Sequence, residues 1–314
     1  MKIVLLDGAL ANQMTQYIFA RCLEIATGDM VYLDDLWFYT SHGSLGDKIQ
    51  NTEHHEYQLN KFPNAKPNLI SDYFEPGVWN EIIGIARQRA PLLGGSHLPQ
   101  ILLESGMQLN MVTECPTFTG VYDGPYVSVP YYYHMPKLLN CKGDIYFWGY
   151  FTNAGWFNSQ KETLMNELLL PEPQNEADPE MSSQIENSYS VGVHIRRGGY
   201  AIQGNAHPPE YYKDAIAAVR KKHRNESLSF FIFSDEIEYC KEHAKEYGVD
   251  ELKRVTWCAA DRTVKDNHID MQLMSKCRGL ILCNSVYGFM SHLFSRRADQ
   301  WTIDPHPTRN ITIP

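Results

Sequence analysis

The chain has 314 residues and a formal net charge of -9 at neutral pH. This acidic balance argues against a general nucleic-acid binder, which needs a basic surface to neutralise phosphates. Hydrophobic residues make up 43% of the chain and charged residues 21%, so we expect an ordinary globular protein with one large or two medium domains.

The apolar runs and the cysteines indicate the compartment in which the chain works. No stretch reaches the roughly 18 apolar residues of a membrane-spanning helix. The first apolar run, residues 2–6, is too short for a signal peptide and is followed at once by Asp7. The seven cysteines form no CxxC pair and show no zinc-site spacing. We therefore expect a cytoplasmic protein with reduced thiols and at most a peripheral association with membranes.

The first 35 residues are predicted to form a strand, a turn, a helix and a second strand at 31–35. The turn is Asp7-Gly8, and Asn12 is predicted to cap the helix that follows. The turn is similar to a nucleotide-binding loop, but it lacks both a GxGxxG pattern and a GKS/T ending. A dinucleotide or P-loop assignment is therefore weak.

The middle of the chain is irregular. From about residue 37 to 141, Pro, His, Tyr and Gly interrupt every periodic segment, which is typical of functional loops on a scaffold. Regularity returns at 144–150, a predicted strand. The polar, proline-bearing segment 171–176 is predicted to connect two domains, 1–173 and 174–314.

Strands and helices alternate regularly after this segment, which predicts a parallel sheet covered by helices on both faces. In such sheets, ligands bind outside the carboxyl ends of the strands. The residues that follow the strands are therefore the candidates for a functional site. The predicted strands are 189–195, 228–233, 254–257, 279–283 and 301–303.

Two adjacent arginines follow the first of these strands. Arg196 and Arg197 come directly after apolar residues and precede Gly198-Gly199. Guanidinium groups near an apolar interior cost free energy unless an anion compensates them, and their planar fork of donors matches phosphate oxygens. The pattern fits a diphosphate site. It fits equally a pair of surface arginines, solvated or bound to a nearby Asp.

Polar side chains also follow the other strands. Ser234 and Asp235 could bond the hydroxyls of a ligand, although a Ser-Asp pair is more often a helix cap. Asp270 lies near the start of a predicted helix, where its carboxylate could accept from guanine or simply stabilise the helix dipole. Asn284 and Ser285 close a strand and open a helix whose free N–H groups favour a phosphate.

Taken in order, these segments resemble glycosyltransferase family 11, the α-1,2-fucosyltransferases, in its bacterial form. The family opens with a GGLGNQMFQY-like turn and helix, matched by residues 8–17, and carries a GYFQ-like strand, matched by 149–152. Its VHIRRGDY segment is matched at seven of eight positions by 193–200. A DMxLMxxC…NSxYSWW-like segment is matched by 270–289.

The resemblance implies an α/β, GT-B-like architecture, in which two Rossmann-like domains face a cleft. The acceptor is then expected mainly on the first domain and GDP-fucose mainly on the second. The implied reaction is the inverting transfer of L-fucose from GDP-β-L-fucose to a hydroxyl of a glycan acceptor, with galactose O2 as the expected position. No cofactor and no metal are expected, and the lack of a DxD motif in a credible loop agrees with this.

The resemblance also carries roles to individual residues. Arg196 is expected to hold the β-phosphate, and His194 and Asp270 the guanosine. Arg196 and His194 are the expected catalytic residues, and no metal ligand is expected. The expected donor-binding residues are Arg197, Asn12, Gln13, Ser234, Asp235, Asp270, Asn284 and Ser285.

One departure from the family pattern leaves alternatives open. The family's Asp after Arg-Arg-Gly is Gly199 here. If that Asp orients Arg197 or helps to deprotonate the acceptor, the chain should be slow or altered in specificity. Two alternatives are a transferase for another GDP-deoxysugar and a glycan- or nucleotide-binding relative with weakened catalysis. Asp7, His194 and Asp235 are candidate bases, and a reaction without a dedicated base is equally open.

Overall fold

The computed structural model describes residues 1–40, 56–90, 92, 94–115, 120–169, 177–258 and 266–313. The chain forms two compact units: unit 1 is Met1–Leu170 with Pro307–Pro314, and unit 2 is Pro171–His306. The sequence places the boundary after residue 173 and assigns everything beyond it to the second domain. The predicted connection at 171–176 lies outside the described residues.

The last residues return to unit 1 because backbone and side-chain groups there bind them. His134 N donates to Ile311 O and His134 O accepts from Ile313 N, and the Asn153 amide donates to Tyr132 O, Thr308 O and Ile311 O. These bonds satisfy polar backbone groups of a segment that has no sheet of its own.

Unit 1 is built on a six-stranded sheet in which every pairing is parallel, with the order β3-β2-β1-β6-β4-β5. The central strand β1 pairs Lys2 with Val31 on one side and with Ile145 on the other. Strands β3, β4 and β5 fall in the region that the sequence leaves irregular. The strands are β1 (Lys2–Leu5), β2 (Val31–Asp34), β3 (Asn68–Leu69), β4 (Asn110–Cys115), β5 (Tyr126–Pro130) and β6 (Ile145–Trp148).

The helices of unit 1 bury the apolar residues that recur at helical spacing. In α1 these include Met14 and Ile18, which are 1% and 3% exposed. The predicted cap at Asn12 is wrong: α1 begins at Leu10 after an extended Ala9, and Asn12 N donates to Ala9 O within the first turn. The helices are α1 (Leu10–Thr27), α2 (Pro76–Gln88), α3 (Leu98–Glu104), α4 (Ala154–Ser159) and α5 (Lys161–Glu167).

Unit 2 contains a second all-parallel sheet with the order β11-β10-β7-β8-β9. The alternation of the sequence predicts all five of these strands. Strand β7 is central and buried, with apolar residues such as Val191 and Val193 at 0% exposure. The strands are β7 (Tyr189–Ile195), β8 (Leu228–Ser234), β9 (Val255–Trp257), β10 (Gly279–Ile281) and β11 (Trp301–Ile303).

Helices join the strands of unit 2 as expected of a Rossmann-like unit. They are α6 (Ala177–Glu186), α7 (Gly198–Ile202), α8 (Pro209–Lys222), α9 (Ile237–Glu242), α10 (His268–Lys276) and α11 (Val286–Leu293). The predicted α/β fold with two Rossmann-like units is confirmed. Among the helices of the described residues, none combines the length and apolar character needed to cross a bilayer.

Candidate functional site

The carboxyl edge of the unit 2 sheet brings the predicted residues together. Strand β7 pairs with β8 up to Ile195 and Ser234, and with β10 up to Val193 and Ile281. Because all these strands run in the same direction, the segments that leave them meet at one edge. This edge carries Arg196, Arg197, Ser234, Asp235, Asn284 and Ser285.

Arg196 forms an ion pair at this edge. Its Nη1 lies 2.6 Å from Asp235 Oδ2, and the two side chains are 22% and 24% exposed. Its guanidinium also lies 5.4 Å from the ring centroid of Tyr200. A guanidinium carries five N–H donors, so one carboxylate oxygen does not exhaust its capacity. The ion-pair alternative that the sequence leaves open is therefore present, at a position that is still accessible.

Arg197 has a different environment from Arg196. Its Nε donates to Glu236 Oε2 at 2.8 Å and its Nη1 to Tyr247 OH at 3.2 Å. The guanidinium carbon lies 3.5 Å from the ring centroid of Tyr239. These contacts hold the side chain against α9 and the segment that follows it. The assignment of Arg197 to donor binding stays a prediction, and its observed contacts are structural.

Asp235 joins the two arginine positions. Besides its bond to Arg196, it accepts from Arg197 N at 2.8 Å through Oδ1. Gly198 permits this close approach, because a Cβ on its backbone (φ 27°) would lie 2.5 Å from Asp235 Oδ2. The predicted cap at Ser234-Asp235 is wrong: Glu236 is the N-cap residue of α9 and no side chain caps this helix, while Ser234 Oγ accepts from Glu236 N at 3.1 Å in the turn before it.

His194 is buried on β7 directly below this edge, at 6% exposure. Its Nδ1 lies 3.4 Å from Cys283 Sγ. Burial, together with the nearby charge of Arg196, lowers the pKa of His194 to about 3. The imidazole is therefore neutral at physiological pH. It can donate and accept hydrogen bonds, and it is too weak a base to remove a hydroxyl proton efficiently.

Asn284 and Ser285 directly precede α11, and Ser285 is its N-cap residue. Ser285 Oγ accepts from Tyr287 N at 3.2 Å, and Asn284 Nδ2 donates to Asn205 O at 2.6 Å. Asp270 is half-buried in the first turn of the neighbouring helix α10. The starts of these two helices are linked by Tyr287, whose hydroxyl accepts from Met271 N at 2.9 Å.

Asn12 and Gln13, the two predicted donor-binding residues of unit 1, lie in the first turn of α1. Gln13 is buried, with its Nε2 donating to Gly8 O at 2.8 Å and to Glu56 O at 2.9 Å. Its Oε1 accepts from Gln58 N at 2.8 Å. Asn12 is half-buried against Gly8. Gln13 therefore holds backbone segments together, and the donor-binding role of both residues stays a prediction.

Among the described residues, four buried carboxyl groups lie at or near the ends of the unit 1 strands, and the sequence singles out only Asp7; the four are Asp7, Asp34, Asp35 and Glu114. Asp7 accepts from Gly95 N at 2.6 Å and Gln16 Nε2 at 2.9 Å, and burial raises its pKa to about 6. Asp34 ends the observed strand β2, one residue before the end of the predicted strand at 31–35, and an acid after apolar residues is a readable signal. Glu114 falls in the irregular region and offers no such signal. Burial raises the pKa of each of these two groups to about 7.

The comparisons with known proteins agree on one family. The family model described as Glycosyl transferase family 11 matches residues 123–303. An Escherichia coli protein named alpha-1,2-colitosyltransferase is 32% identical over 174 residues, which cover 53% of this chain and 57% of that relative. The Escherichia coli O-antigen biosynthesis glycosyltransferase WbnK is 24% identical over 319 residues, which cover 96% of this chain and 92% of WbnK.

The chain also has a similarity to a solved structure. The NodZ alpha-1,6-fucosyltransferase soaked with GDP-fucose aligns with a TM-score of 0.49 and 11% identity, over 98% of this chain and 96% of NodZ. The alignment with the colitosyltransferase spans little more than half of that relative's length. Because the family model covers more than half of the present sequence, the chain belongs to glycosyl transferase family 11.

Proposed function

We propose that this chain transfers L-fucose, with inversion, from GDP-β-L-fucose to a hydroxyl of a galactose-containing glycan, at galactose O2. The observation that carries the proposal is the partly exposed Arg196–Asp235 pair at the carboxyl edge of the unit 2 sheet. Membership of glycosyl transferase family 11 supports the reaction class. The cytoplasmic location stays a prediction.

Arg196 supplies the main electrostatic contribution in this proposal. During fucosyl transfer, negative charge grows on the departing diphosphate while positive charge grows on the sugar. A guanidinium already fixed in place stabilises that growing charge more in the transition state than in the ground state. Asp235 keeps Arg196 at the strand end, and the remaining N–H groups of the fork face the β-phosphate. Arginine then neutralises the leaving group without a metal ion.

The neighbouring residues bind the nucleotide. The carboxylate of Asp270 accepts from the N1–H and amino groups of guanine, a pattern that adenine does not offer. The start of α11 after Asn284 and Ser285 presents N–H groups to a phosphate. Neutral His194 contributes a hydrogen bond to the guanosine. Together these groups discriminate the base and hold the diphosphate against Arg196.

The contacts of the three candidate bases bear on the acceptor step. His194 has a pKa of about 3, which makes it a poor proton acceptor. Asp235 is committed to Arg196 and to Arg197 N. Asp7 is 0% exposed, with one carboxylate oxygen accepting from Gly95 N. These contacts favour a loosely assisted reaction in which the acceptor proton leaves late and without a dedicated base.

The direct test is transfer by the purified protein from GDP-β-L-fucose to a galactose-terminated oligosaccharide, with and without EDTA. We expect an α-L-fucoside on galactose O2, identified by NMR, at a rate that EDTA leaves unchanged. No fucoside product across a panel of galactose-terminated acceptors would refute the proposal. Loss of activity in EDTA, restored by a divalent cation, would refute its metal-independent part.

Another GDP-linked deoxysugar is the second candidate donor. It is favoured by the 32% identity to a protein named alpha-1,2-colitosyltransferase. The two donors are distinguished by measuring kcat/KM for GDP-fucose and GDP-colitose with the same acceptor. A higher kcat/KM for GDP-colitose would identify colitose as the preferred transferred sugar. The proposed roles of Arg196 and Asp270 would not change.

A further inference from the structure

The hydroxyl of Tyr287 binds the backbone of the first turn of helix α10. It accepts a hydrogen bond from Met271 N at 2.9 Å and donates one to Asn267 O. In a regular α-helix, the N–H of a residue bonds directly to the carbonyl four residues earlier. The hydroxyl of Tyr287 therefore bonds both members of the backbone pair, Asn267 O and Met271 N, that closes the first turn of α10.

This turn contains Asp270, the residue that the proposed function places against guanine. Residues 268–270 lie between the two backbone groups that Tyr287 bridges. A side chain that bonds to both ends of this turn holds the turn in place. The direction in which the Asp270 carboxylate leaves the helix therefore depends on the Tyr287 hydroxyl.

Tyr287 is itself held in place by the structure that begins α11. Its backbone N–H is capped by Ser285 Oγ at 3.2 Å, and its ring centroid lies 5.7 Å from that of His194. The ring packs against the buried cluster that includes Phe231 and Leu282. One side chain therefore connects the proposed phosphate-binding helix start to the proposed guanine-binding turn.

We propose that Tyr287 is a positioning residue for guanine recognition, which sets the Asp270 carboxylate at a fixed offset from the start of α11. The inference rests on the proposed function, in which Asp270 reads the base. The covalent structure of GDP fixes the separation between its base and its diphosphate, so the two subsites must be held in register. Recognition geometry of this kind tolerates displacements of only about 0.5 Å.

The test is a comparison of ligand affinities in the full-length protein, measured by calorimetry for GDP, IDP, ADP and inorganic pyrophosphate. IDP lacks the 2-amino group of guanine. ADP lacks both the 2-amino group and the N1–H. In Tyr287→Phe we expect the preference for GDP over ADP to fall about tenfold or more, because a small misplacement is costly at such a site. Pyrophosphate affinity should change less than about twofold, since the start of α11 remains.

Tyr189→Phe is the matched control. The Tyr189 hydroxyl also makes a partly buried hydrogen bond in unit 2, to His223 Nδ1 at 2.8 Å. Tyr189 is the first residue of β7 and therefore lies at the opposite edge of the sheet from the candidate site. This variant should keep the full preference for GDP. Thermal melting of both variants reports their folding.

Asp270→Asn completes a double-mutant cycle. If Tyr287 acts through Asp270, Tyr287→Phe should cause no further loss of discrimination in the Asp270→Asn background. Should Tyr287→Phe fail to fold, Tyr287→His, which keeps a polar ring atom, takes its place in the same measurements.

Two results overturn the inference in distinguishable ways. A wild-type protein that prefers GDP, beside a folded Tyr287 variant with the same preference, overturns the role of Tyr287 alone. A wild-type protein that binds GDP and ADP equally overturns the guanine assignment of Asp270, and the role of Tyr287 with it.

Discussion

Asp235 holds the guanidinium of Arg196 where β7 ends, with 2.6 Å between Oδ2 and Nη1. Both side chains are about one-quarter exposed, and solvent-screened pairs of this kind contribute only about 0–1 kcal/mol to stability. Substitutions of Arg196 should therefore affect the reaction far more than they affect the fold.

Arg196→Ala is expected to lower kcat by about 10²–10³, the usual effect of removing one preorganised donor. Arg196→Lys should recover little, because an ammonium lacks the planar fork. Steady-state kinetics with thermal melting measures both effects. Arg278→Ala is the control: that arginine pairs with Asp299 at the other end of the sheet and should leave kcat unchanged. A folded Arg196→Ala protein with normal turnover would contradict the mechanism.

Arg197→Met is expected to reduce stability rather than chemistry. The change removes the bonds to Glu236 and Tyr247 and the stacking on Tyr239. Hydrogen bonds to charged groups contribute about 1.5–3 kcal/mol, and partial exposure places the expected loss near the lower value. Urea denaturation measures the loss of unfolding free energy. A drop in kcat as large as that of Arg196→Ala, without a loss of stability, would instead show that Arg197 acts on the diphosphate.

Gly288→Ala should weaken donor binding by displacing His194. A Cβ at position 288 would lie 2.6 Å from His194 Nδ1 and 3.2 Å from Leu282 Cδ2. Because contacts this short force the ring to move, we expect KM for the donor to rise by about tenfold. Kinetics at varied donor concentration is the measurement.

Gly84→Ala is the control for this substitution. Gly84 is also within a helix, α2, and an added Cβ there meets nothing within 4 Å. Alanine is the better helix former by about 1 kcal/mol, so this variant should be slightly more stable and fully active. An unchanged KM in Gly288→Ala would show that His194 does not contact the donor.

The stability of unit 1 should fall as the pH rises from about 4 to 7. Burial raises the pKa of Asp7 to about 6 and those of Asp34 and Glu114 to about 7, whereas such groups titrate near 4 when unfolded. The folded state therefore binds more protons than the unfolded state in this window, and stability declines with increasing pH.

Chemical denaturation at several pH values between 4.5 and 7.5 measures this slope, and Glu114→Gln should make it shallower by removing one titrating group. Glu81→Gln, at an exposed position on α2, should leave the slope as in the wild type. A slope that Glu114→Gln leaves unchanged would show that this carboxyl group is not protonated preferentially in the folded state, because the net wild-type slope also includes the opposite contribution of His194.

The sequence predicts unit 2 better than unit 1 for a physical reason. Strands such as β7 and β8 are buried on both faces, and β8 contains a continuous apolar run from Phe230 to Phe233. Strand β5, by contrast, is exposed at three of its first four positions, Tyr126–Ser128. Strand β5 is defined by its backbone pairing with β4, and this pairing has no comparable pattern in the sequence.

The candidate site shows the same division. The position of Arg196 follows from the chain itself, because any residue after a parallel strand reaches the same edge. The different environment of Arg197 depends on Tyr239 and Tyr247, which approach only after the chain folds. The bridge from Tyr287 to the backbone of α10 joins residues 16 or more positions apart, and its position inside a helical turn has no signature in either segment.

The return of residues 307–313 to unit 1 makes the topology nested. The chain leaves unit 1 once, completes unit 2, and re-enters unit 1 to bond with His134 and Asn153. Unit 2 is therefore contiguous and can be excised as one fragment, whereas unit 1 needs two separate pieces of polypeptide to be complete. Removal of residues 307–313 is therefore expected to damage the unit that contains Met1–Leu170 and to leave the contacts within unit 2 in place.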